Sequence, residues 1–179
     1  MREANVRHPF TMRKEETMDA FYYWRNYEQD LKSGLPGYFK STSDKLQILA
    51  DGQPEFIWVF KTPPGRKGQL QLLGRLHWRE SPTKGFRKEA GYFYIHYEPS
   101  HPRSELFTDS GTDAALDVTT TWASRHFQQM RTANFNGVHG QEALRGQPLK
   151  ELEAQARGFQ KRPVVVPAPA PTGGEAVHP

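Results

Sequence analysis

Runs of apolar and aromatic residues alternate with short polar or glycine-containing segments in the first part of this chain. Glu55–Lys61 carries bulky apolar side chains at every interior position, which is typical of a strand buried on both faces. Gln69–Trp78 is also rich in apolar residues, but Gly74 interrupts it as a bulge or tight corner would. A loop of proline, glycine and basic residues joins the two runs, so the pattern predicts a β-hairpin.

Two further strands and one short helix are predicted around this hairpin. Tyr38–Thr42 reads as a short strand, and Lys45–Ala50 as a short helical segment, with a strand as the alternative because the run is too short for periodicity to decide. Gly91–Tyr97 reads as a strand with alternating faces. The residues predicted to share one of its faces are Tyr92, Tyr94 and His96.

Helical periodicity occurs in three places. The pattern predicts a long helix over Thr11–Lys32, a second over Asp113–Thr132 and a short third one near Leu149–Gly158. Glu98–Gly111 contains two prolines and is predicted to be irregular, while Asn136 and Gly137 predict a turn.

The order of these elements predicts one α+β domain. A chain of 179 residues is long enough to bury one core. One helix, several clustered strands and then helices favour a small mixed β pseudo-barrel flanked by helices, over residues 1–161. Residues 162–179 are rich in Pro, Ala and Gly and predict an extended or disordered tail.

Composition limits the classes of function. The chain has no cysteine, so disulfides, thiol nucleophiles and cysteine-bound zinc are excluded. No apolar run is long enough to span a bilayer, and the first residues lack the apolar core of a signal peptide, so we expect a soluble cytoplasmic protein with no membrane partner.

The net charge of +4 is distributed unevenly. Basic residues dominate Lys61–Lys88, and acidic residues dominate the segment after Glu98. Such a basic block favours contact with an acidic partner, although a solvated basic surface is the alternative. The residues we predict to contact a nucleic-acid backbone are Arg66, Lys67, Arg75, Arg79, Arg87 and Lys88.

Candidate reactive groups concentrate in His96-Tyr-Glu98-Pro-Ser-His101. Imidazole and carboxylate groups can bind zinc, but the spacing is not that of a helical zinc motif, and Pro99 prevents an ordinary helix. We therefore expect neither a metal nor another cofactor and assign no catalytic residue. If the protein is an enzyme, its active centre would come from His77, His96, Glu98 and His101.

Several segments together resemble a known family. Tyr38–Ser41, Leu46–Gly52, Ile57–Phe60 and Leu72–Leu76 follow one another as in PUA-like domains, which include the EVE, ASCH and YTH types. The resemblance covers about Phe21–Tyr97.

This resemblance implies a small pseudo-barrel that binds RNA or DNA, often by holding a modified base in an aromatic pocket. Carried over by position, Trp24, Asn26 and Ser41 would lie near the pocket mouth, and Trp58 and Trp78 would be cage or core residues.

The sequence thus predicts a non-enzymatic nucleic-acid-binding module that recognises a modified base in an aromatic pocket beside a basic surface. DNA and RNA are both open as partners, and no oligomeric state is predicted. The alternatives are a nucleotide- or nucleic-acid-processing enzyme and a protein-interaction domain.

Overall fold

The computed structural model describes residues 16–128 and 140–165. Its strands are β1 (Asp19–Tyr23), β2 (Tyr38–Ser41), β3 (Phe56–Lys61), β4 (Gln71–Arg79), β5 (Phe93–Glu98), β6 (Glu105–Phe107), β7 (Gln141–Leu144) and β8 (Lys161–Pro163). Its helices are α1 (Tyr27–Ser33), α2 (Lys45–Asp51), α3 (Asp113–His126) and α4 (Gly146–Arg157).

The strands form one curled, mixed sheet with the main order β2-β5-β4-β3-β1-β7, which makes a half-barrel. Only β1 and β3 run parallel among the described strand pairs. The long strand β4 pairs first with β6, at Gly74 and Arg75, and then with β5 from His77 to Arg79. The predicted α+β class is confirmed, and so is the hairpin of β3 and β4.

Gly74 allows β4 and β6 to approach closely. A Cβ atom there would lie 2.2 Å from the carbonyl oxygen of Glu105. Val59 faces Gly74 while Phe60 faces Leu72, so β4 carries an extra residue between them. The predicted irregularity at Gly74 is therefore a bulge beside a tight strand contact.

Helices cover the two faces of the sheet differently. On one face, α3 and α4 contribute Trp122 and Leu152 to a core with Phe21, Trp58 and Phe60. On the other face, a second core contains residues of α2 and of the strands: Leu46, Leu49, Ile57, Leu76, Ile95 and Tyr97. Because β3 supplies residues to both cores, it is buried on both faces, as predicted.

The predicted helix over Thr11–Lys32 is wrong. Asp19–Tyr23 is a strand between β3 and β7, and among the described residues of this segment helical structure starts at Tyr27, in α1. The aromatic residues on all sides of this segment suggested a buried helix, but a central strand also buries both of its faces. Residues 1–15 lie outside the described part.

The remaining boundaries shift by smaller amounts. Helix α3 starts after Thr112, whose side chain accepts a hydrogen bond from the Ala115 N–H at 3.3 Å. The predicted end at Thr132 and the turn at Asn136-Gly137 lie outside the described residues. Helix α4 begins at Gly146, before the predicted start at Leu149. Within the described residues, no helix is both long and apolar enough to cross a membrane.

Three short strands, β6, β7 and β8, were not predicted. The segment predicted to be irregular contains β6, and β7 lies just after residues 129–139. Ordered structure also continues beyond residue 161, because β8 pairs with β6 and the Val164 side chain is buried. Residues 166–179 of the predicted tail lie outside the described part.

Candidate functional site

One part of the sheet surface carries polar and aromatic side chains, whereas the rest of the sheet carries buried apolar side chains. Alternation along the strands, combined with their register, places eight residues of β2, β4 and β5 on the same side as Phe56 and Trp58. We call this surface the open face, and its residues are Tyr38, Lys40, Arg75, His77, Arg79, Tyr94, His96 and Glu98.

Four rings pack together at the β2–β5 end of the open face. The Phe86 ring, from the loop between β4 and β5, meets Tyr38, Tyr94 and His96 edge-on, with ring centres 5.1, 4.9 and 4.7 Å away. Tyr38 in turn meets Tyr94 at 5.4 Å. We call Tyr38, Phe86, Tyr94 and His96 the ring cluster. Except for Tyr94, its members are partly exposed, so the cluster offers aromatic surface to a ligand.

His96 is the member of the ring cluster that lies next to Arg79, its partner on β4. Burial lowers the pKa of His96, and the positive charge of Arg79 lowers it further. The ring is therefore neutral at pH 7. Its Nδ1 atom is buried and has no hydrogen-bond partner among the described residues.

Interactions on β2 and on the β4–β5 loop hold the edge of the ring cluster. Lys40 pairs with Glu89 at 2.9 Å, and its ammonium group lies 4.5 Å from the centre of the Tyr92 ring. The Tyr94 hydroxyl accepts a hydrogen bond from the Glu89 N–H at 2.9 Å. These interactions join the β4–β5 loop to β2 and β5.

Three predicted phosphate-binding residues lie beside this cluster. Arg79 ends β4, and Arg87 and Lys88 are exposed in the loop that carries Phe86. Within residues 16–128 and 140–165, none of the three forms an ion pair. Their charges are therefore available to an anionic ligand.

The other three predicted phosphate-binding residues are placed differently. Arg66 and Lys67 lie in the β3–β4 turn, and β4 separates them from Arg79 by about 26 Å. Arg66 pairs with Asp113 at 2.8 Å, and Arg75 pairs with Glu105 at 2.9 Å. The basic block of the sequence is thus divided between two ends of the sheet.

Two of the predicted pocket residues lie in the core. Trp24 is 1% exposed, and its indole N–H donates to Asp30 at 2.7 Å. Trp58 is 0% exposed and donates to Asp19 at 2.8 Å. Both indoles are satisfied inside the protein and offer no surface to a ligand.

The other predicted pocket residues lie on three different elements. Asn26 is exposed before α1. The Ser41 hydroxyl accepts a hydrogen bond from the Ser43 N–H at 3.1 Å. Trp78 is half-buried on the side of β4 opposite to the open face, with an indole nitrogen that has no partner among the described residues.

The histidines of the alternative active centre include a pair in direct contact. The rings of His77 and His101 stack, with centres 3.7 Å apart and planes inclined by 10°. Glu98 faces His77 across β4 and β5, and His96 lies two residues before it on the same strand face. In the described part of the chain, no group of three or more His, Asp or Glu residues could hold a metal ion.

A cleft of about 580 Å³ lies next to the start of β3, and none of the eight open-face residues lines it. Its lining includes none of the five predicted pocket residues. The residues that line it are Glu16, Thr17, Met18, Gly52, Gln53, Glu55 and Arg145.

Sequence reasoning missed Phe86 and Arg103. A single aromatic residue within a basic loop is a signal that could have pointed to Phe86. Arg103 gave no such signal, because its role depends on how the loop before β6 returns to the sheet. Arg103 lies over the Phe56 ring at 4.7 Å, beside the stacked histidines.

A comparison of this chain with protein-family models, with curated proteins and with solved structures finds no match in any of the three.

Proposed function

We propose that this protein binds nucleic acid through the ring cluster and the neighbouring cations Arg79, Arg87 and Lys88. One observation carries the proposal: partly exposed rings lie on the sheet surface beside three basic residues that have no ion-pair partner among the described residues. Aromatic rings stack on unpaired bases, and adjacent cations bind the phosphates.

The PUA-like architecture is part of this proposal. The curled mixed sheet supports it, as does the short helix α2 just before β3. Because Trp24 and Trp58 are buried, we confine the proposal to stacking on the ring cluster and to phosphate binding. Recognition of a modified base stays a prediction.

The charge part is tested by fluorescence anisotropy of a labelled single-stranded oligonucleotide over a series of salt concentrations. Arg87→Gln/Lys88→Gln should weaken binding and lower the slope of log K against log salt by about 0.7 for each phosphate that the variant no longer neutralises. Arg66→Gln/Lys67→Gln removes the same charge at the other end of β4 and should change both quantities less. Equal effects of the two double variants, or no binding at low salt, would contradict the proposal.

The stacking part is tested at Tyr38. Tyr38→Ala should weaken binding by about 1–3 kcal/mol, because it removes a ring on which a base can stack, whereas Tyr38→Phe should retain most of the affinity. If the alanine and phenylalanine variants bind equally well, the ring of Tyr38 is not a stacking platform.

A nucleic-acid-processing enzyme is the second candidate, and the stack of His77 on His101 favours it. Paired imidazoles can act as general acid and base. Incubation of labelled RNA and DNA with the protein, with His101→Ala as the control, tests this function. Cleavage that is abolished in the variant supports it, and intact substrates exclude it for those nucleic acids.

A further inference from the structure

Two arginines and two histidines converge at the end of the open face away from the ring cluster. The guanidinium carbons of Arg75 and Arg103 lie 4.4 and 4.7 Å from the centre of the Phe56 ring. His77 meets the same ring edge-on at 5.7 Å and stacks on His101. We call Arg75, His77, His101 and Arg103 the arginine–histidine cluster.

Several donors of this cluster have no partner among the described residues. Arg75 uses its Nε atom to bind Glu105 at 2.9 Å, and its terminal nitrogens make no other hydrogen bond there. His101 uses Nδ1 to accept the Arg103 N–H at 3.0 Å, so its remaining ring nitrogen, Nε2, carries the proton. The His77 ring has a hydrogen bond to the Trp78 backbone, which leaves its other ring nitrogen for a ligand. Unused N–H groups of arginine and histidine side by side are the donors that a phosphate oxygen accepts.

The cluster is held together by elements that are far apart in sequence. The Ser104 hydroxyl accepts the His77 backbone N–H at 2.8 Å and donates to the Glu98 carbonyl at 2.6 Å. Ser104 is itself 2% exposed. It thereby fixes the loop that carries His101 and Arg103 against β4, so the four side chains are positioned before any ligand arrives.

Acidic residues balance the charge of the free cluster. Arg75 pairs with Glu105, and Arg103 pairs with Glu55. Burial lowers the pKa of His77, and the neighbouring His101 and Arg103 lower it further. The charged groups around the two rings are Arg75, Arg79, Arg103, Glu55, Glu98 and Glu105. An anion placed against both rings would offset the two arginines and favour a proton on the histidine pair.

We propose that the arginine–histidine cluster binds one phosphate group and that this binding takes up a proton on the His77–His101 pair. The affinity for the phosphate dianion then rises as the pH falls. The ligand is defined by the phosphate, which could be free inorganic phosphate, the terminal phosphate of a strand or an internal phosphodiester. The proposal deepens the nucleic-acid function if both hold, but it can be tested without nucleic acid.

The test titrates the full-length protein with inorganic phosphate while the histidine ring signals are followed by NMR at constant ionic strength in chloride. We expect saturable shifts of the His77 and His101 signals, tighter binding of the phosphate dianion at lower pH and no shift of His126, which lies on α3 beside Glu151. Shifts that do not saturate, or that are equal for His126, would overturn the proposal. Affinity for the phosphate dianion, calculated from the dianion fraction at each pH, that does not rise as the pH falls would overturn its proton-uptake part.

A matched pair of variants makes the test specific. Arg103→Gln removes an exposed arginine that pairs with Glu55, and Arg125→Gln removes a similarly exposed arginine that pairs with Glu151. The first should weaken phosphate binding about tenfold or more, and the second should leave it unchanged. Equal effects would overturn the site. Neither residue is buried, so both variants should fold.

Competition then identifies the source of the phosphate. Displacement of inorganic phosphate only by a 5′-phosphorylated oligonucleotide supports a site for a strand end, and displacement also by the 5′-hydroxyl form supports an internal phosphodiester. Phosphate binding without displacement by either supports a site for a small phosphate compound. The nucleic-acid function is tested separately, by oligonucleotide anisotropy at the ring cluster, so failure of the phosphate site and failure of nucleic-acid binding are distinguishable.

Discussion

Replacing Gly74 by alanine tests how tightly β4 and β6 pack beside the arginine–histidine cluster. The added Cβ would lie 2.2 Å from the Glu105 carbonyl oxygen and 2.9 Å from the Leu106 Cα atom, both of which belong to backbone. Ordinary van der Waals separations of this kind begin at 3.4 Å, so β6 must move by about 1 Å. A flexible side chain could give way, but a paired strand cannot do so without breaking its hydrogen bonds.

Two contributions determine how much Gly74→Ala lowers the free energy of unfolding. Overpacking of a well-packed site costs about 1–3 kcal/mol, and each strained or broken hydrogen bond between β4 and β6 adds about 1 kcal/mol. We therefore expect Gly74→Ala to lower the free energy of unfolding by about 3 kcal/mol. For a chain of this size, the melting temperature should fall by about 10 °C.

Urea unfolding followed by tryptophan fluorescence measures this change, and Gly158→Ala is the matched control. Gly158 ends α4 at φ −80°, and a Cβ atom there would meet its nearest neighbour at 3.5 Å. The control should be neutral or slightly stabilising, because alanine restricts the unfolded chain. If Gly74→Ala changes the unfolding free energy as little as Gly158→Ala does, the packing between β4 and β6 is looser than the structure shows.

Three further predictions concern stability. Asp19 is 3% exposed and accepts hydrogen bonds from the backbone N–H groups of Glu55 and Phe56 and from the Trp58 indole. Asp19→Ala should therefore lower the free energy of unfolding in urea by about 3 kcal/mol. A decrease below about 1 kcal/mol would mean that these donors find other partners. The pKa of His77 in the folded protein lies below its ordinary value of 6.5, so the unfolded chain binds more protons below that pH. The free energy of unfolding should therefore decrease as the pH falls below about 6.5. His77→Gln should reduce this pH dependence, and an unchanged profile would assign it to other groups. Val164→Ser should cost about 2 kcal/mol by exposing the second core, whereas no change in melting temperature would show that the segment after β8 is dispensable.

The local sequence pattern was sufficient to predict an element where the residues of that one segment specify it. The unbroken apolar run of β3 and the glycine in β4 follow from neighbouring residues, and the structure confirms both. At Lys45–Ala50 the sequence left a strand open beside a short helix, and the structure has the helix α2. The alternation of Tyr94 and His96 also placed both on one strand face, where the ring cluster now lies.

Local pattern failed where pairing partners decide the structure. Asp19–Tyr23 looked helical because aromatic residues surround it, yet it is a strand that pairs with β3 and β7 from distant parts of the chain. The three-residue strands β6 and β8 are too short to carry periodicity, and they exist because β4 and then β6 offer them an edge.

The sequence by itself determined the class of the fold, the central hairpin and the residue types of a basic, aromatic surface. The tertiary structure decided which of these residues share a site. It buried Trp24 and Trp58, and it separated Arg66 from Arg79 by the length of β4. It also stacked His77 on His101. The physical reason is that composition and periodicity act between neighbours in the chain, whereas a binding site depends on strand register and on loops that return to the sheet, which only the packed chain specifies.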